Sequence, residues 1–237
     1  MTIALLTAAG TGSRMGQNIP KQFMYVEDKP LIIHTMEVFQ NNPAIDKILV
    51  VTLPAWIEVL KAYANQYNIT KLEWIVRGGD SGQESIYNGL KELEKHCSKD
   101  DIIMVHDGNR CNVSNEIIAD SLATFREKGS AVAVIPCVEV VYYSDDDGLS
   151  SQKSLPRKNL YRTQTPHTYS LGKLLWAHQQ AKERNITNSA ASCELMSALG
   201  ETVYFSKGSE ENLKITTVDD LMIFKALRHT KKDNWLK

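Results

Sequence analysis

Short aliphatic runs alternate along the chain with stretches whose apolar residues recur every three or four positions. The first kind predicts strands at Ile3–Thr7, Lys47–Leu53, Leu72–Val76, Ile102–His106 and Ala131–Ile135. The second predicts amphipathic helices at Leu31–Gln40, Ala55–Tyr67, Glu84–Lys95 and Asn115–Glu127. Runs such as IIMV and AVAVI are apolar on both strand faces, as expected where helices cover a sheet on both sides. The alternation predicts a three-layer α/β/α sandwich around a mostly parallel, Rossmann-like twisted sheet. In such sheets ligands bind beyond the carboxyl ends of the strands. Chemistry is therefore expected near Thr7, Arg77 and His106.

After Ile135 the alternation stops. Cys137–Ser144 alternates weakly, turns through DDDG at Asp145–Gly148 and returns through Leu149–Gln164 without a helical period. This predicts a two-stranded β-arm over residues 137–165, projecting from a single domain that spans residues 1–237. An isolated hairpin is marginal in water, so the arm needs a surface to pack on, and a second subunit is the expected one. Beyond it we expect a helix at Leu171–Arg184, another through Leu199, strands at Thr202–Phe205 and Asn212–Ile215, and a last helix at Val218–Leu227. Thr216 or Thr217 is the expected cap of that last helix.

Composition narrows the partners. The chain has 237 residues, 43% hydrophobic and 23% charged, with a net charge of −1. That balance lacks the basic footprint of a nucleic-acid binder. No apolar run approaches the ~18 residues of a membrane span, and MTIALLTAAG lacks the charged start of a signal peptide. Cys97, Cys111, Cys137 and Cys193 are scattered, which predicts reduced thiols in a cytoplasmic protein, not a disulfide frame or zinc site.

Candidate chemistry concentrates in LLTAAGTGSRMGQNIPKQF, Leu5–Phe23. A P-loop would need Lys and Ser or Thr after Gly16, where Gln17 and Asn18 stand. A dinucleotide fingerprint would need glycine at Met15. A plain glycine turn with solvated charges is the unspecific alternative. A nucleoside-triphosphate loop uses every part: Gly10, Gly12 and Gly16 let backbone N–H groups approach phosphate oxygens, Arg14 offers a planar fork and Lys21 a point charge. Asp107, closing a buried strand, suits a Mg²⁺ ion held by one or two carboxylates together with substrate phosphates. An aspartate that merely orders the next loop is its structural alternative. His106 beside it invites a general-base role, which the alternation of strand side chains argues against.

A-A-G-x-G-x-R-M-G followed by P-K-Q-F resembles the nucleotidyltransferases that activate sugars and polyol phosphates. The chain is most similar to the cytidylyltransferases of methylerythritol 4-phosphate and ribitol 5-phosphate. The likeness continues through Gly78-Gly79-Asp80 with Ser85, Val105-His106-Asp107 with Arg110, Gln164-Thr165-Pro166 and Asn212–Thr216. It implies transfer of CMP from CTP to a polyol phosphate, with Mg²⁺, in a homodimer. It further implies that Ala8 and Ala9 lie against the nucleoside, that Gly79, Asp80 and Ser85 select cytosine, and that Lys214 joins Arg14 and Lys21 at the α-phosphate. Asp107, Arg110, Arg157, Thr165 and Thr187 would serve the acceptor, Arg157 from the neighbouring subunit. Taken singly, Gly78-Gly79-Asp80 also reads as a strand–helix turn, Ser85 as a first-turn helix residue, Lys214 as a solvated lysine and Arg157 as an exposed arm charge.

The chain departs from the family pattern at Gly82, where arginine is usual, at Cys111 for proline, at Val140 for threonine and at Asn188 for aspartate. Three of the four lie on the acceptor side. Nucleotide chemistry is expected to be retained, while the acceptor is open between ribitol 5-phosphate, which the run Asn212–Leu221 favours, and methylerythritol 4-phosphate. Two other classes remain to be weighed: a nucleotide-binding regulatory protein with a degenerate acceptor site, and an NAD(P)-dependent oxidoreductase.

Overall fold

A computed structural model of the chain describes residues 1–10, 19–189 and 191–233. Gly12, Arg14 and Gly16 lie outside the described residues. The elements run β1 (Thr2–Ala8), β2 (Tyr25–Val26), β3 (Lys29–Pro30), α1 (Leu31–Asn41), β4 (Lys47–Thr52), α2 (Ile57–Gln66), β5 (Leu72–Arg77), α3 (Gly82–Leu93), β6 (Ile102–Asp107), α4 (Asn115–Lys128) and β7 (Ala131–Pro136). They continue as β8 (Val141–Tyr143), β9 (Lys153–Leu155), β10 (Tyr161–Ser170), α5 (Leu171–Glu183), α6 (Ser192–Ala198), β11 (Phe205–Lys207) and α7 (Val218–Asp233).

Seven strands form one sheet in the order β11-β7-β10-β6-β1-β4-β5, with β10 antiparallel to both its neighbours and the other pairs parallel. The pleat divides the core in two. Ala4, Leu6, Ile48 and Val50 point toward α1, α2 and α4, whereas Ile3, Leu5, Leu49 and Val51 point toward α3, α5 and α6. This is the three-layer sandwich expected of doubly apolar strands. Gly89 lets α3 lie close on the sheet, because a Cβ there would meet Val51, Leu5 and Leu49 at 2.9–3.1 Å.

Three expectations need correction. The returning strand of the arm is mostly body: only β8 and β9 pair as a separate hairpin, while Arg162 and Thr163 already pair with β7. The edge strand lies at Phe205–Lys207, not Thr202–Phe205; of the earlier residues Tyr204 contributes its carbonyl to Val132 N–H. Residues Asn212–Ile215 form no strand. Their alternation reflects a segment bolted down by side chains instead, with Asn109 and Ile215 exchanging hydrogen bonds and Asn212 Nδ2 donating to Thr165 O at 2.8 Å. α7 follows directly. Thr217 Oγ1 caps it by accepting from Asp220 N–H at 3.2 Å, and the Asp220 carboxylate accepts in return from the N–H groups of Thr216 and Thr217.

Candidate active site

The carboxyl ends of β1, β5 and β6 open with β10 onto one cavity of about 810 Å³. Ala8, Ala9, Gly10, Lys21, Gly79, Asp80, Ser85, Asp107, Arg110, Thr165 and Lys214 all line it. Residues about 100 positions apart meet because parallel strands bring their carboxyl ends to one edge, and the non-strand segment at Asn212–Ile215 adds Lys214. Arg157 and Thr187 do not line it; both are exposed, and Arg157 donates to Val138 O at 2.9 Å at the root of the arm. Arg77, at the end of β5, lines the cavity as a further cation.

The glycines beyond β5 answer to crowding. A Cβ on Gly78 would lie 2.3 Å from the Cβ of Ala9, so only glycine lets the ends of β1 and β5 approach this closely. Ser81 then caps α3 by accepting from Glu84 N–H, Glu84 accepts from Asp80 N–H at 2.8 Å, and Ser85 Oγ accepts from Gly79 N–H at 3.0 Å. The turn is fixed before any ligand arrives.

Lys21 sits on a 3₁₀ turn, Lys21–Phe23, whose next two residues anchor in opposite directions. The side-chain amide of Gln22, 2% exposed, donates to Ala8 O at 2.7 Å and Gly10 O at 3.0 Å. Phe23 stacks on Trp56 with ring centroids 4.3 Å apart. Gln22 thus ties Lys21 to the carbonyls where the glycine loop begins. The motif P-K-Q-F contains this glutamine, yet the sequence alone assigned it no role; its place between a functional cation and a core aromatic was the available signal.

On the opposite wall Asp107 is held between two cations. Lys214 Nζ meets Oδ1 at 2.9 Å and Arg110 Nε meets Oδ2 at 3.0 Å, while Arg110 also donates to Asn212 O at 2.6 Å. Burial alone would raise the Asp107 carboxyl, but Lys214 and Arg110 outweigh it and hold the group well below the usual carboxylate range. It is an anion at neutral pH.

His106 is fully enclosed and both its ring nitrogens are engaged. Nε2 faces Arg110 O at 3.1 Å, and Nδ1 faces Thr165 Oγ1 at 3.0 Å, which itself accepts from Asp107 N–H at 3.0 Å. Every group is satisfied when Nε2 carries the proton and Thr165 donates to Nδ1. Burial pushes the imidazole down to about 4, so it stays neutral. This closes the general-base role. Thr165 also positions the backbone of Asp107 by accepting its N–H. The sequence reading places Thr165 at the acceptor phosphate; it lines the cavity, with its hydroxyl 3.0 Å from His106 Nδ1.

Among the described residues no cluster of three His, Cys, Asp or Glu side chains could hold a metal. Asp107, which with Asp80 gives the lining two separate carboxylates, instead fits a cation that takes most of its ligands from phosphates and water. Cations outnumber carboxylates along the lining, in a chain of net charge −1. The cavity is therefore built for a polyanion.

Comparison with known proteins agrees with this chemistry. A family model described as IspD, 2-C-methyl-D-erythritol 4-phosphate cytidylyltransferase, matches residues 2–229. A ribitol-5-phosphate cytidylyltransferase of Lacticaseibacillus paracasei is 37% identical over 98% of this chain and 100% of that protein; one from Vibrio parahaemolyticus is 36% identical over 98% of each. A 2-C-methyl-D-erythritol 4-phosphate cytidylyltransferase of Alkaliphilus oremlandii is 34% identical over 98% of this chain and 97% of its own length. Among solved structures, the corresponding Francisella tularensis enzyme superposes with a TM-score of 0.77 at 26% identity, covering 95% of this chain and 98% of its own. The chain belongs to this cytidylyltransferase family, and it is an enzyme of that class.

Proposed function

We propose that the protein transfers CMP from CTP to the phosphate of ribitol 5-phosphate, releasing pyrophosphate and forming CDP-ribitol. The observation that carries this reading is the Asp107–Arg110–Lys214 cluster facing the Lys21 turn across one cavity. The choice of ribitol 5-phosphate is supported by the two full-length relatives of that name at 37% and 36% identity. Methylerythritol 4-phosphate is the second reading, carried by the relative at 34%. Neither a regulatory nucleotide binder nor an NAD(P) oxidoreductase gains support.

In this reaction an acceptor phosphate oxygen attacks the α-phosphorus of CTP, and the bond to the bridging oxygen of pyrophosphate breaks. A phosphate monoester already carries about −1.5 to −2 charge at pH 7, so the nucleophile needs no base. That agrees with the engaged, neutral His106. What the reaction needs is to bring two polyanions together and to stabilise charge at phosphorus. Arg14 and Lys21 act from the nucleotide side and Lys214 from the opposite wall, leaving Asp107 for the phosphates as they arrive. Cytosine is read by the turn of Gly79, Asp80 and Ser85. Asp107 is the described carboxylate that would hold Mg²⁺, which when bound neutralises phosphate charge. Arg157 would reach the acceptor in a homodimer formed through the arm. The reaction is assigned to the cytoplasm, in keeping with four unpaired cysteines.

Pyrophosphate release from CTP and Mg²⁺ is the test, run with each polyol phosphate separately. Release with ribitol 5-phosphate at least tenfold faster than with methylerythritol 4-phosphate is expected. The reverse order selects the second reading, and release with neither removes both.

A further inference from the structure

The chain between α5 and α6 bends twice through left-handed asparagines, Asn185 at φ 53° and Asn188 at φ 60°, and leads to Ala191 and Ser192 on the cavity wall. Its described residues 184–189 carry Thr187 and belong to no strand or helix. Such a strap has to be held by something other than a backbone ladder. Gln83, on the first turn of α3, holds it from both sides of Thr187. Its Nε2 donates to Ile186 O at 3.0 Å, and its Oε1 accepts from Ser189 N–H at 2.9 Å. Both halves of one side-chain amide are spent on backbone more than a hundred residues away. Asparagine, one methylene shorter, would not span the same gap, and glutamate would set a carboxylate against the Ile186 carbonyl.

The same helical turn faces the cavity with Ser85, whose Oγ fixes Gly79. Two residues apart, then, one side chain shapes the nucleotide-side turn and the other anchors the strap beyond it. We propose that Gln83 is a positioning residue for acceptor recognition: it pins residues 186–189 to the first turn of α3 and so sets where Thr187 stands beside the cavity. This rests on the reading that the protein uses a polyol phosphate and that the strap serves it.

Gln83→Met keeps the length and helix propensity of the side chain and removes both hydrogen bonds. Steady-state kinetics with CTP, Mg²⁺ and ribitol 5-phosphate should then show KM for the acceptor raised about tenfold, with KM for CTP within about twofold and the Tm lowered by no more than about 8 °C. KM values that rise together, or an acceptor KM that stays put, would overturn the proposal. Hydrogen exchange followed by mass spectrometry on the ligand-free protein provides the second readout. Peptides covering residues 186–192 should exchange about tenfold faster in the variant while those from α3 onward to Leu93 do not change; unchanged exchange over the strap overturns the anchor itself. If the parent protein turns over neither polyol phosphate, the functional reading has failed, and the exchange measurement still decides whether Gln83 holds the strap.

Discussion

The cavity wall and the β-arm are built on opposite plans. Around the cavity, hydrogen bonds join residues far apart in sequence: Thr165 to His106, Asn212 to Thr165, Lys214 to Asp107. On the arm they stay local, with Asp146 accepting from Ser144 and Ser150 and Ser151 donating to Tyr143 O. The arm strands β8 and β9 have three residues each and leave Val140 69%, Tyr142 59% and Leu149 87% exposed. A hairpin of that size with its apolar side chains in water is marginal by itself. One chain therefore brings Lys21, Asp107, Arg110 and Lys214 to one cavity, whereas Arg157 stays outside it at the root of the arm. On the proposed reading, the nucleotide half of the reaction is a property of the monomer fold, and the share of acceptor binding that falls to Arg157 depends on what covers the arm.

The largest effect should come from breaking the wall. Lys21→Ala removes a cation from a turn that Gln22 and Phe23 keep in place, so the surrounding geometry survives the loss. A positioned charge aimed at the transition state is worth about 10²–10³ in kcat. We expect a fall of that size, with KM for CTP changed less than about tenfold. A kcat within about threefold of the parent would show that Lys21 serves ground-state binding alone.

Next comes the arm. Val140→Glu combined with Tyr142→Glu puts charge on its exposed apolar face without touching the cavity. Sedimentation should show the proposed dimer lost, kcat/KM for the acceptor lowered about ten- to a hundredfold, and CTP affinity retained. A fully active monomer would erase the distinction between the two halves and leave Arg157 an ordinary exposed charge.

How far the sequence speaks follows the same divide. Strands such as ALLTA and IIMVHD were legible because so short an aliphatic run suits a strand covered on both faces and little else, and the motifs at their ends named most of the cavity lining. β10 was not legible, because YRTQTPHTYS is polar throughout. From Gln164 to Tyr169 it is buried nonetheless: Gln164 bonds Ser209 O, Thr165 bonds His106 and Thr168 meets Ser121, distant partners that no local pattern reveals. Residues Asn212–Ile215 misled in the other direction, alternating like a strand while side-chain amides do the holding. Gln22 and Gln83 escaped for a related reason. Their contribution is to backbone carbonyls and amides elsewhere, and only the fold shows which.

Acid offers the mildest way to separate the regions. His106, His167 and His178 are all pushed down by burial to about 4, and His178 stacks on Tyr87 between α5 and α3 with ring centroids 5.3 Å apart. Folded pKa values below the ordinary value near 6.5 mean that the unfolded chain binds these protons more tightly. Their contribution to stability is therefore complete above about pH 6.5 and is lost progressively as pH falls toward 4. Residues 137–160 contain no histidine. The turn there is held by Asp146, whose carboxyl is kept below its usual range by hydrogen bonds from Ser144 and Ser150, so it survives until the pH drops further still. Between pH 6.5 and 5 the body should weaken while the arm turn does not. Tm should fall over that interval, and His178→Phe, which retains a ring against Tyr87, should shrink the fall without abolishing it, since His34, His106 and His167 are also lowered by burial. An unchanged pH slope in that variant would mean that His178 takes up its proton without opening the α3–α5 contact.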